Sequence, residues 1–247
     1  MDSGIVSYGF QYGCYLIEAG LIVYLAQRSH RKRFVSVLLY LSCLLATGVA
    51  RSYTLHRYGF HSEQYLCVYW KTDFPLVISA FVLVCLFFRR ACLHQEKMWR
   101  YIRLSLAFVC VLVVGISGLF FSHIYGNLLT DFIFEFNQNL YFTCLVLNTL
   151  LYLLLQQIDS ADDQLGLLVC GVGIQFAGPT ATLALLHLTA SEGFAQLLTT
   201  LIMRLCTLGM LLVWAYAIVH VKDRATQVTR RQIPVLAEVT AHLNIQI

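Results

Sequence analysis

Long apolar stretches separated by short polar breaks organise the whole chain. Between RSHRKR, RYGFHSEQ, RRACLHQEKMWRYIR, YGNLLTD, QIDSADDQ and TASEGF lie seven apolar segments, near residues 8–27, 34–53, 65–88, 104–124, 132–156, 165–188 and 195–220. A helix that crosses a bilayer needs about 20 mostly apolar residues, and each segment is of that order. In hydrocarbon the polar groups of the backbone must be satisfied internally, which for continuous apolar runs of this length means helices rather than barrel strands. The pattern therefore predicts an all-α, polytopic membrane protein with seven transmembrane helices. The connections are short enough that sequence neighbours should run antiparallel.

Composition points the same way. Of 247 residues, 59% are hydrophobic and only 12% charged, and the mean hydropathy is +0.70, too little polar surface to cover a soluble globule. Residues 1–220 are expected to form a single seven-helix transmembrane domain, with 221–247 as a short cytoplasmic tail. No low-complexity linker or repeat divides them.

The basic residues set an expected orientation. The first, third and fifth connections and the tail hold Arg28, Arg31, Lys32, Arg33, Arg89, Arg90, Lys97, Arg100, Arg103, Lys222, Arg224, Arg230 and Arg231, against Arg51, Arg57 and Lys71 on the other side. By the positive-inside rule the amino terminus is outside and the carboxyl terminus cytoplasmic. The first apolar stretch has no basic residues before it, so no cleaved signal peptide is expected. The formal net charge of +4 is then a product of topology and of attraction to anionic lipid. Membrane lipid is an expected partner and nucleic acid is not; the expected location is a bacterial inner membrane.

Candidate chemistry lies where polar residues interrupt the apolar runs. The segment LLTTLIMRLCTLGMLLVWAYAIVH carries Arg204 well inside it, and YGFQYGCYLIEAGLIVYLAQ carries Glu18. Buried charge in a membrane needs a partner, a cavity or a task. Counted from the outer ends of their segments, both residues lie roughly 14–16 Å deep at 1.5 Å per residue, which suggests a buried charge pair, Glu18 with Arg204, serving either helix packing or a switch. Asp73 and Glu135 are rival partners. In DFIFEFNQNLYFTCLVLN, Asp131, Glu135 and Gln138 share one helical face by their spacing of four and three; they read either as an interfacial turn or as a water-filled pocket. Lys71 and Asp73 sit just inside the aromatic belt residues Tyr65, Tyr69 and Trp70. In LGLLVCGVGIQFAGPTATLALLH, the small residues Gly171, Gly173, Ala177, Gly178 and Ala181 predict close helix packing, and Pro179 a kink beside Gln175. The candidate ligand-binding residues are thus Lys71, Asp73, Asp131, Glu135, Gln138 and Gln175.

No cofactor is expected. Haem could be clamped by two imidazoles at equal depth, but His94, His123, His187 and His220 fall at segment ends, where histidine is simply well solvated. Retinal would need a lysine near the middle of the last segment, which holds Arg204 instead. The nine cysteines show no CxxC or Cys/His spacing for zinc, and neither an HExxH nor a GxSxG motif is present. No catalytic residues can be assigned.

At the YW of the third segment, followed by Asp73, and at GLLVCGVGIQFAG in the sixth, the chain resembles uncharacterised seven-helix inner-membrane proteins common in acidobacterial genomes. That resemblance implies the seven-helix topology and no functional residues. The chain departs from that family's pattern in having aspartate where a glutamate is usual in the third helix, and Arg89 and Arg90 where an acid often stands at the helix exit. A looser similarity is to the seven-helix input modules of bacterial signalling proteins. The leading expectation is a non-enzymatic, sensor- or receptor-like protein with an outer-half polar pocket and a cytoplasmic protein partner; the alternative is a carrier or an integral subunit of a larger membrane complex.

Overall fold

A computed structural model of the chain describes the backbone of residues 2–27, 34–59, 62–93, 96–121, 128–157, 162–188 and 192–219, and the side chains of 9–27, 34–59, 62–93, 97–115, 136–157, 162–178 and 201–219. The described residues form seven α-helices: α1 (Asp2–Gln27), α2 (Val35–Tyr58), α3 (Glu63–Ala91), α4 (Glu96–Phe121), α5 (Leu128–Gln157), α6 (Asp163–Leu188) and α7 (Glu192–Val219). Five are long and apolar enough over their described residues to cross a membrane: α2, α3, α4, α5 and α7. The described part of α6, Asp163–Gly178, is a shorter apolar helix, and the apolar run of α1 is diluted by Gln11 and Glu18.

Local chemistry fixes several ends. Gly59 closes α2 with φ 79°, a left-handed conformation that glycine adopts without steric penalty, and its N–H donates to the Leu55 carbonyl at 3.0 Å. Ser62 then caps α3: its Oγ accepts from the Tyr65 N–H at 3.2 Å, with Glu63 in the first turn. Asp162 caps α6, accepting the Leu165 N–H at Oδ1, 3.1 Å. Its other oxygen takes Arg90 of α3 through Nε at 3.1 Å and Nη2 at 2.9 Å, tying that end of α6 to the exit of α3.

The helices follow one another around a ring that closes by contact of α1 with α7. The third helix touches α2, α4, α5 and α6 and so takes the interior position, whereas α4 touches α3 and α5 and sits at the periphery. Burial agrees, since 39% of the most apolar window of α3 is inside the protein against 11% of that of α4. One end of the bundle holds the start of α1 and the α2–α3 turn (the N-terminal end below); the other holds the close of α7.

Apolar side chains have no hydrophobic reason to prefer one another over lipid, so close packing and interhelical hydrogen bonds must hold the bundle. The α6–α7 seam shows how. Trp214, fully buried, donates its indole N–H to the Leu168 carbonyl at 2.9 Å, and Gln164 Nε2 donates to the Ala217 carbonyl at 2.8 Å. Asn148 of α5 donates to the Val169 carbonyl at 3.1 Å. Small residues make room for these groups: a Cβ on Gly171 would stand 2.6 Å from Cδ1 and Nε1 of Trp214, and one on Gly173 2.9 Å from Asn148 Nδ2. The glycine strip of α6 is thus a packing surface along its described length, and the helix backbone continues through Pro179 to Leu188.

Gly171→Ala should therefore lower the melting temperature of the protein in lipid nanodiscs, by an overpacking cost of about 1–3 kcal/mol, because an indole is too rigid to yield. Gly166→Ala on the same helix, where a Cβ meets nothing within 4 Å, should leave it unchanged or raise it. Equal melting temperatures for the two variants would contradict the tight α6–α7 seam.

Candidate functional site: a polar belt across five helices

The belt is built outward from two neighbours on α2. Consecutive helical positions point about 100° apart, so Arg51 faces α3 while Ser52 faces α1. On the α3 side, Arg51 Nε donates to Thr72 Oγ1 at 2.9 Å, and Nη2 donates to Asp73 Oδ1 at 2.9 Å and to the Tyr69 carbonyl at 3.2 Å. The guanidinium carbon lies 4.2 Å from the centre of the Tyr69 ring, a cation–π contact. Thr72 is free to accept because its own hydroxyl donates back to the Val68 carbonyl at 2.8 Å.

Asp73 carries this linkage on to α5. Its Oδ2 accepts Asn137 Nδ2 at 2.9 Å, and the Tyr141 hydroxyl stands 3.5 Å from Oδ1. Asp73 is only 7% exposed. A carboxylate this deep is costly unless paired and hydrogen-bonded, and here an arginine from α2 and an amide and a phenol from α5 surround it. The set is charge-neutral and nearly saturated; Asn137 Oδ1 is the buried oxygen left without a partner.

On the α1 side, Gln11 Nε2 donates to Ser52 Oγ at 2.6 Å and to the Tyr15 hydroxyl at 2.8 Å, and the Tyr15 and Ser52 hydroxyls share a hydrogen bond of 2.8 Å. One turn along α2, Gly48 makes room for Tyr15, whose Cε1 would lie 2.7 Å from a Cβ there. Gln11 Oε1 accepts Arg204 Nη2 of α7 at 3.5 Å. Through Arg51 and Ser52 the belt runs continuously from α7 and α1 across α2 and α3 to α5, in the N-terminal half of the bundle.

Of the residues singled out from sequence, Asp73 and Arg204 belong to the belt. Arg204 reaches Gln11, and no ion pair joins it to Glu18. Counted from the observed helix starts, Glu18 lies 16 residues into α1 and Arg204 12 residues into α7, roughly 24 and 18 Å along the axes. The matched depths expected from sequence came from starting α1 at residue 8 instead of Asp2. Glu18 is 2% exposed, and its Oε2 has no partner. Lys71 is exposed; two residues from Asp73, it lies about 200° around the helix and faces away. Gln138 and Gln175 are half-buried, the latter with an unpartnered Oε1. The side chains of Asp131, Glu135, His94, His123, His187 and His220 lie outside the described residues. Among the described residues no three of His, Cys, Asp or Glu converge on a point where a metal could bind.

Sequence reading missed Arg51, Gln11, Tyr15, Ser52 and Tyr141 as site residues. The one signal for Arg51 was its place just inside the apolar segment 34–53; because α2 runs on to Tyr58, this arginine sits two turns inside the helix and is a largely buried group rather than a topological marker.

Comparison of the chain with protein-family models, curated proteins and solved structures finds no match.

Removing one partner of a buried ion pair strands the other. With side-chain exposures of 20% for Arg51 and 11% for Asp73, Arg51→Gln and Asp73→Asn should each cost about 3 kcal/mol, the low end for buried pairs. The double variant should recover much of the loss. Melting curves of the four proteins in nanodiscs measure this; strictly additive losses would contradict an energetically coupled pair.

Proposed function

We propose that the chain is a seven-span, non-enzymatic membrane protein of the sensor or receptor-like kind, lying in a bacterial inner membrane with its amino terminus outside and its carboxyl terminus in the cytoplasm, and akin to the acidobacterial inner-membrane proteins it resembles. The asymmetry of basic residues supports this orientation, which puts the polar belt in the outer half of the bundle.

The observation that carries the reading is the Asp73 junction. One buried carboxylate holds α2 through Arg51 and α5 through Asn137. A solute that takes either partner alters how three helices are held at once, and a ligand shifts a conformational equilibrium by its differential affinity for the two arrangements. Asn137 Oδ1 offers such a solute an acceptor already in place. The shift is passed to a protein partner at 221–247.

Glu18 favours the second reading, a carrier or an integral subunit of a larger complex. Its carboxyl is buried in the middle of α1 with Oε2 unpartnered, and an intramembrane acid is by default a candidate for ion or proton coupling.

Affinity purification from native membranes separates the readings. A receptor-like protein should bring down a cytoplasmic protein that is lost when the chain is truncated after residue 220. A fixed set of integral membrane proteins that survives truncation would favour the subunit, and counterflow of a solute in proteoliposomes the carrier. For the orientation, a fluorescent protein fused to the carboxyl terminus should be bright and an alkaline phosphatase fused at residue 220 inactive. The opposite pair of results would place the belt on the cytoplasmic side and overturn the reading.

A further inference from the structure

The periphery of α4 carries a feature that the polar belt does not explain. Tyr101, Leu104, Ser105, Ala107, Phe108 and Val111 line an open groove of about 600 Å³, with Tyr101 77% and Val111 70% exposed. At its head stand Lys97 and Arg100, and Arg103 flanks it; all three are exposed and, among the described residues, none has a hydrogen bond or ion pair. The sequence from 89 to 103 holds five basic residues and one acid, Glu96; of the five, Arg90 is already engaged by Asp162.

The spacing aligns charge with groove. Positions 97, 100, 101, 104, 108 and 111 differ by three and four residues and lie on one helical face. From Arg100 to Val111 is 11 residues, about 16 Å of helix, close to the half-thickness of a hydrocarbon core of about 30 Å. The cations therefore stand at headgroup depth when the apolar stripe fills one leaflet, with Tyr101 where amphipathic rings collect.

We propose that this face of α4 is a binding site for an anionic phospholipid, its phosphate held by Lys97 and Arg100 and one acyl chain lying along Tyr101, Leu104, Phe108 and Val111. Charge selects this occupant over a second copy of the chain. Two copies related by a twofold axis along the membrane normal would bring the same cations face to face, with no acid among the described residues of this face to offset them. The site holds whichever leaflet it faces, and it stands apart from the belt.

The test uses the full-length protein, released from vesicles of equal phosphatidylglycerol and phosphatidylcholine and weighed by native mass spectrometry. Wild type should appear as a monomer retaining phosphatidylglycerol in preference to phosphatidylcholine. Each cation near an anionic headgroup contributes on the order of fivefold in affinity, so Lys97→Gln with Arg100→Gln should weaken retention roughly 25-fold. Lys97→Arg with Arg100→Lys should retain the lipid, as should Arg57→Gln at the far end of the bundle. Among the described residues Lys97 and Arg100 have no hydrogen bond or ion pair, so the variants at these two positions should melt as wild type does. Equal retention of both lipids, or a preference that survives the double glutamine variant, overturns the proposal. A dimer that Phe108→Lys dissociates also overturns it and assigns the face to a second copy.

Discussion

A carboxylate in a low-dielectric interior sets the strictest condition on this bundle. Asp73 is almost wholly buried on the helix that itself lies innermost, and the cost of leaving such a charge unmatched exceeds any packing gain nearby. Arg51 meets that condition with a charge-assisted hydrogen bond, supported by Thr72, the Tyr69 carbonyl and the Tyr69 ring. Because Arg51 comes from α2 and the second oxygen is taken by Asn137 of α5, satisfying one residue fixes the spacing of three helices. Ser52, beside Arg51, brings in α1 by ordinary helical geometry, and Gln11 brings in α7.

The other half of the bundle solves a different problem by different means. There the seams are held by neutral donors on helix carbonyls, Trp214 on Leu168, Gln164 on Ala217 and Asn148 on Val169, with glycines of α6 accepting the bulk. Such contacts are individually modest, averaging about 0.6 kcal/mol in membranes. They suit a rigid seam, since each depends on backbone that cannot move far. The ionic belt links side chains on movable stems, and a polar competitor can take one arm without breaking a helix. This contrast in chemistry is why the proposed sensor reading rests on Asp73 rather than on Trp214.

The helices were legible in the apolar pattern because bilayer thickness imposes a length and continuous apolar runs impose a conformation. The ends were less so. Polar residues of α1 before residue 8 and of α2 after residue 53 extend the helices beyond their apolar cores, and this decided two site assignments: it moved Glu18 deeper than Arg204 and brought Arg51 inside. Asp73 was recognisable as a charge within a span, but its partner was not, since depth is written along one helix whereas pairing depends on how neighbouring helices are rotated. Lys71 illustrates the same limit, two residues from Asp73 and on the opposite side. The small residues of α6 announced a close seam; that Trp214 fills it depends on the register between two helices, which no local pattern encodes.

The junction at Asp73 is most directly tested by solid-state NMR of the protein in lipid bilayers, labelled with ¹⁵N in arginine and ¹³C in aspartate. A through-space coupling between an Arg51 guanidinium nitrogen and the Asp73 carboxyl carbon, as a 2.9 Å N–O contact requires, is the predicted result, with assignment secured by its loss in Arg51→Gln. A spectrum in which Asp73 couples to no arginine would contradict the account, and the belt built on it would have to be abandoned.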